Sequence, residues 1–135
     1  MSYDISLVDP VTKETLTMDA PHQMRGGTYA MSGTNEMWLN ITYNYAFWFY
    51  KEYAFGKDGI RSIYGLSGAE SIPVLKKAIA GLESTDEELP EEEMQKYIEQ
   101  GVTGYWVATR ENAIRPLYQL LAMAQMRPDG VWEGD

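Results

Sequence analysis

His22, Arg25, Gly26 and Gly27 lie within a six-residue span of this 135-residue chain and form the first group suited to holding an anion. Two glycines let backbone amides approach a ligand closely, and the Arg25 guanidinium adds a bidentate contact. The run matches neither GxxxxGK[ST] nor GxGxxG, and a tight turn leading into a strand accounts for the same glycines. His22 follows Pro21 and reads either as a hydrogen-bonded loop residue or as a base. Asn40, Thr42 and Asn44 share one face of an alternating segment. That polar row suits either a small ligand or the solvent side of a strand. Arg110, Asn112 and Arg115 cluster near a helix start, with Glu111 between them and Trp106 just before. Two guanidiniums there suit a phosphate or a carboxylate, or a pairing with the acids that precede them.

Other chemistries are excluded by composition. The chain has no Cys and one His, which removes thiol nucleophiles, disulfides, zinc ribbons and two-imidazole metal sites. We assign no catalytic residue, metal or cofactor; an enzyme here would work through carboxylate, tyrosine or arginine chemistry, and the composition leans away from one. The formal charge is -9, from 11 Lys+Arg and 20 Asp+Glu. Eight of those acids (Glu83, Asp86, Glu87, Glu88, Glu91, Glu92, Glu93 and Glu99) fall in a stretch holding one base, Lys96. That stretch carries -7, so the other twelve acids and ten bases leave only -2. Without a basic stripe, direct binding to duplex nucleic acid is disfavoured. The acidic run is either a solvated linker with a helix start or a surface for a basic partner, with Glu87, Glu88, Glu91 and Glu92 as its contacts.

These groups need elements to position them. Tyr3, Ile5 and Leu7 alternate with polar residues before Asp9-Pro10, and Thr15 to Met18 resumes the extended pattern, which predicts a hairpin. A loop starting at Ala20 to His22 and ending in Gly26-Gly27 then leads to a third strand, Thr28 to Met31. A turn at Ser32 to Asn35 follows, and a fourth strand from about Glu36 to Tyr43. The aromatic run Tyr45 to Phe55 reads as a buried helix closed by Gly56, with a strand continuing into Phe49 as the alternative, and the block Tyr43 to Tyr53 reads as core more than as a stacking platform. Gly59 to Gly68 reads as a structured loop or a short turn of helix. Ser67 and Glu70 have capping-box spacing, but Pro73 argues for Ser71 as the cap of the next helix. A third helix starts after Pro90, with Met94, Tyr97 and Ile98 facing inward. The last begins at Thr109 or near Asn112, contains Pro116, and ends at Arg127-Pro-Asp-Gly, leaving Val131 and Trp132 to dock back onto the body. The expectation is a single α+β domain over residues 1–135, with an acidic segment at about 83–93. In it, a small antiparallel sheet of about four N-terminal strands packs against three to four C-terminal helices.

No leader pattern stands at Met1 to Leu7, and no apolar run is long enough to span a bilayer, so a cytoplasmic protein with no membrane contact is expected. Several runs together resemble a known family: Arg25-Gly-Gly-Thr-Tyr-Ala, Trp38-Leu-Asn-Ile-Thr-Tyr-Asn-Tyr, Gly59-Ile-Arg-Ser-Ile-Tyr-Gly, Ser71-Ile-Pro-Val-Leu, Asn112-Ala and Arg127-Pro-Asp-Gly-Val-Trp-Glu-Gly-Asp. The family consists of short uncharacterised proteins carried by bacteriophages, prophages and bacterial genomes. The resemblance covers most of the chain and departs from it at Glu83 to Glu99, which is longer here, and at Pro116. It implies an accessory protein of mobile-element type and brings no catalytic residues. The expectation is a non-enzymatic binder of a partner protein. The alternatives are a binder of a nucleotide-like anion and a carboxylate- or tyrosine-dependent enzyme. The excess of aromatic residues also suggests a homodimer.

Overall fold

The structure is a computed structural model that describes residues 2–22 and 33–135. Arg25, Gly26, Gly27 and the expected strand Thr28 to Met31 lie outside the described residues. Among those described, five strands and four α-helices make an α+β fold.

Period-two alternation builds β1 (Ser2–Val8), whose Tyr3, Ile5 and Leu7 are buried while Asp4 is exposed. β1 is the middle of a three-stranded antiparallel sheet, between β4 (Trp38–Thr42) and β5 (Val131–Gly134). Ile5 lies opposite Leu39, and Leu7 opposite Trp132. The turn expected at Asp9-Pro10 forms: the Asp9 carboxylate accepts the amides of Val11 and Thr12, and the Leu16 amide returns to the Leu7 carbonyl. The expected second strand of that hairpin does not stay on β1, because β4 already holds the edge from Ser2 to Ser6. Only Val8 bridges Thr15. The chain continues instead as β2 (Thr17–His22), which pairs with β3 (Thr34–Glu36) in a separate ribbon. Ala20 to His22 and Thr34-Asn35, expected as loop and turn, are therefore strand residues. Pro21 is tolerated because a two-stranded ribbon leaves one side of each strand without ladder bonds.

The aromatic block departs further from expectation. A 3-10 turn (Tyr43–Tyr45) runs into α1 (Ala46–Phe49), and the chain then folds back in turns to Gly56, whose φ is +83°. In a continuous helix Phe49 and Phe55 would point about 120° apart, since six residues advance the direction by about 600°. The turns instead bring their rings together edge to face, with centroids 5.8 Å apart. Tyr45, Trp48 and Phe49 are fully buried.

The helix α2 (Gly68–Ser84) is capped by Ser67, not Ser71. Ser67 Oγ accepts the Glu70 amide at 3.0 Å and Glu70 Oε1 accepts the Ser67 amide at 2.9 Å. Pro73 therefore lies inside the helix, where it removes one donor. The first turn is secured from outside by the amides of Gly68 and Ala69 bonding the carbonyls of Gly130 and Pro128. Ser71, freed from capping, is buried; its hydroxyl donates to Gly68 O at 2.8 Å and accepts Trp132 Nε1–H at 2.8 Å. The segment expected to dock back is thus strand β5, tied to both the sheet and α2.

After Pro90, α3 (Glu91–Glu99) forms as the proline predicts. Its Ile98 does not face inward but is 63% exposed, because this short helix packs against the core along one edge through Tyr97, with Met94 half-buried beside it. The cap at Thr109 is observed, with Thr109 Oγ1 accepting the Asn112 amide at 3.1 Å, and α4 (Arg110–Met126) runs through Pro116. Leu75, Ala78 and Leu82 of α2 and Ala113, Leu117 and Leu120 of α4 are buried as the two helices pack, and one apolar cluster joins them to the inner face of the sheet. Among the described residues, no helix is long and apolar enough to cross a membrane.

Candidate functional site

The acidic stretch divides into carboxylates that hold the fold and carboxylates that face outward. Glu87 belongs to the first kind. Its two oxygens accept Lys51 Nζ–H at 2.6 Å and the Tyr53 hydroxyl at 2.7 Å, which anchors the acidic loop to the turns that follow α1. The Lys51 ammonium holds the Glu87 carboxyl below the usual carboxylate range, and the Tyr53 hydroxyl adds to the effect. Desolvation and that same carboxylate push the Tyr53 phenol up. A depressed carboxyl stabilises the fold fully above its unfolded value, near 4.5, and loses that contribution as pH falls through the lower native value. In an NMR titration, Glu87 should therefore titrate below 4.5, and Lys51→Met should move its midpoint upward. An unmoved midpoint would show that the ion pair does not form.

Glu88, Glu91 and Glu92 are exposed, and among the described residues none of them is in an ion pair. Glu93 contacts Lys96 within α3 at 3.3 Å. α3 buries none of its residues fully. It is held by the half-buried Tyr97, whose hydroxyl lies against the backbone of Ala108. Between the acidic loop, Met94 and the start of α4 lies a cleft of about 170 Å³, walled by Leu89, Glu87, Glu88, Thr109, Arg110 and Glu111. It is smaller than the roughly 300–1,000 Å³ of sites that enclose a drug-sized ligand.

Of the described residues expected to hold a small ligand, His22, Asn40, Asn44, Arg110 and Asn112 spend their side chains on bonds within the protein. Arg110 Nη1 donates to the carbonyls of Leu82 at 3.1 Å and Thr85 at 2.5 Å, so the guanidinium closes the C-terminal end of α2. The alternative pairing of Arg110 with the acids that precede it does not form: the guanidinium reaches backbone carbonyls, and the carboxylate it approaches, at 3.6 Å, is that of Glu111. Asn40 is 9% exposed, and Thr42 is also buried. Both lie on the outer face of the sheet, opposite Asp4 and Ser2, but are covered there: Asn40 Nδ2 donates to Ser2 Oγ and Asp4 Oδ1, and Thr42 Oγ1 accepts the Asn44 amide. His22 Nε2 bonds the Glu36 carbonyl at 2.7 Å across the β2–β3 ribbon. Arg115 is exposed on α4.

Asn44 and Asn112 do meet, on the loop that joins α3 to α4. Asn112 Nδ2 donates to the carbonyls of Gly104 (3.2 Å) and Val107 (3.0 Å), and Asn44 Nδ2 to that of Trp106 (2.9 Å). The Tyr45 hydroxyl donates to the Tyr105 carbonyl, and Trp48 Nε1–H to that of Ala108 at 2.8 Å. Five consecutive carbonyls, 104 to 108, thus each accept a side-chain hydrogen bond. Sequence reading takes Asn44 and Asn112 as site residues, but it assigns Tyr45 and Trp48 to the core alone and notes Trp106 without the loop that carries it. The signal available was the pairing of Tyr105 and Trp106 between two glycine-bearing turns and a helix cap.

Among the described residues, no three His, Cys, Asp or Glu side chains gather where they could hold a metal ion. No protein-family model, no curated protein and no solved structure matches this chain.

Proposed function

We propose that the chain is a non-enzymatic binding protein that acts by occupying a partner protein, with the acidic segment and α3 as its contact surface. The observation that carries this reading is the division of labour among the carboxylates. Glu87 is used to anchor the segment, while Glu88, Glu91 and Glu92 stand outward on a loop and a helix that add no fully buried residue to the core. A nine-residue helix is marginal in water by itself, and three carboxylates in the first turn of α3 favour its start without giving it a reason to be retained. A basic partner supplies one. The resemblance to short phage and prophage proteins, among which inhibitors are common, is in keeping with it.

The test replaces Glu88, Glu91 and Glu92 together with Gln and leaves Glu87 in place. Binding to a lysine- and arginine-rich peptide is followed by calorimetry at several salt concentrations, with a glutamate-rich peptide as control. Wild type should bind the basic peptide with an affinity that falls as salt rises, and the triple variant should bind roughly tenfold more weakly, as expected if each rim charge contributes about 0.5 kcal/mol. Equal affinity of variant and wild type, or equal affinity for the acidic peptide, would overturn the proposal.

A further inference from the structure

The loop from 104 to 108 is held far more firmly than a connection between two helices requires. Loops usually leave their carbonyls to water. Here Asn44, Tyr45 and Trp48 from one side and Asn112 from the other take all five, and Tyr97 of α3 lies against Ala108. What this frame presents outward is Trp106, 45% exposed, with the half-buried Tyr105 ring tilted against it at 4.5 Å between centroids. Trp48 and Trp132 are fully buried, so the exposure of Trp106 is not a general property of tryptophan in this chain. An exposed aromatic side chain on immobilised backbone has little freedom left to lose on binding, which is the condition under which such residues dominate interface energies.

Charge identifies the occupant. The stretch leading into this loop carries -7, and Glu111 follows it at the first turn of α4. A second copy of the chain would bring the same acids against themselves, whereas a basic segment is drawn to the acids of α3, the helix that Tyr97 holds against Ala108 at the end of this loop. We infer that Trp106 is the stacking platform for an arginine or lysine side chain of the basic partner, with the acidic stretch holding the flanking cations. This rests on the acidic-surface reading and adds to it the residue that gives the contact its geometry: a cation over an indole face is attracted by the ring quadrupole, and most strongly when the pair leaves water.

Trp106→Ala and Trp106→Phe are compared with wild type and with the Glu88, Glu91, Glu92→Gln variant, using an arginine-containing basic peptide as probe. Dissociation constants are taken from calorimetry across a salt series, and near-UV circular dichroism checks the fold of each variant. Trp106→Ala should weaken binding on the order of tenfold while leaving the salt slope unchanged, since no charge is removed; Trp106→Phe should restore most of the loss. The triple Gln variant should instead flatten the salt slope. If Trp106→Ala binds as wild type does while the triple variant is weakened, the platform is wrong and the acidic surface stands. If wild type does not bind the peptide, both readings fall. If sedimentation shows that wild type dimerises and Trp106→Ala does not, the occupant is a second copy and the inference is overturned.

Discussion

Trp132→Ala should lower the thermal midpoint by roughly 15 °C. The indole is fully buried opposite Leu7, and its Nε1–H donates to Ser71 Oγ at 2.8 Å. Its backbone is bonded on the other side too, the amide to Leu66 O and the carbonyl to the Gly65 amide. Further along, Arg61 Nε and the Tyr64 hydroxyl both donate to the Asp135 carbonyl, at 2.8 and 3.2 Å. Truncating a buried Trp to Ala costs about 3–5 kcal/mol through lost burial and an unfilled cavity. In a domain of this size each kcal/mol moves the midpoint by about 4 °C. Trp132→Phe keeps most of the bulk but loses the hydrogen bond and leaves a small cavity where the second ring was, so its cost should be smaller, about 2 kcal/mol. Thermal and urea unfolding by circular dichroism measure both; a shift of only a few degrees for Trp132→Ala would mean that β5 does not seal the core.

Gly81→Ala should destabilise the protein by about 3 kcal/mol or more, a sign opposite to the usual one. Within an exposed helix, replacing Gly by Ala is favourable by about 1 kcal/mol. At Gly81 of α2, however, a methyl group would stand 1.6 Å from the Tyr53 carbonyl oxygen and 2.6 Å from its carbon. Both are backbone atoms, so the clash is relieved only by moving α2 or the turns after α1. Moving those turns also displaces the Tyr53 hydroxyl and Lys51, which hold Glu87. The variant should therefore show a lowered urea midpoint together with a Glu87 titration moved toward the ordinary carboxylate value. A stabilised Gly81→Ala would place the two segments farther apart than this packing allows.

Both predictions depend on contacts between segments distant in sequence, which is also where sequence reading stops. Thr109 as a cap, Pro90 before a helix and Arg127-Pro-Asp-Gly as a helix end were legible because each works through neighbours one to four residues away. Ser67 and Glu70 were visible as a capping pair as well. They lost to Ser71 because the cost of Pro73 is local, whereas the support for the first turn of α2 comes from Pro128 and Gly130. Asn40 and Thr42 looked like a polar face because alternation specifies two faces and does not say whether the second is covered. Asn44 and Arg110 looked available to a ligand; their partners, the carbonyls of Trp106, Leu82 and Thr85, carry no sequence signature, since every residue has a carbonyl.

The sequence by itself determined the α+β class, the alternation of β1 and β4, the starts of α3 and α4 and the concentration of charge between Glu83 and Glu99, all of which follow from residue type and short spacing. Tertiary structure decided which edge of β1 each strand takes, why the aromatic block breaks into turns, which carboxylates are spent on anchoring and that Trp106 is presented outward. Those outcomes depend on competition among distant partners for the same edge, carbonyl or ring face, and a contest of that kind is settled only when the whole chain is in place.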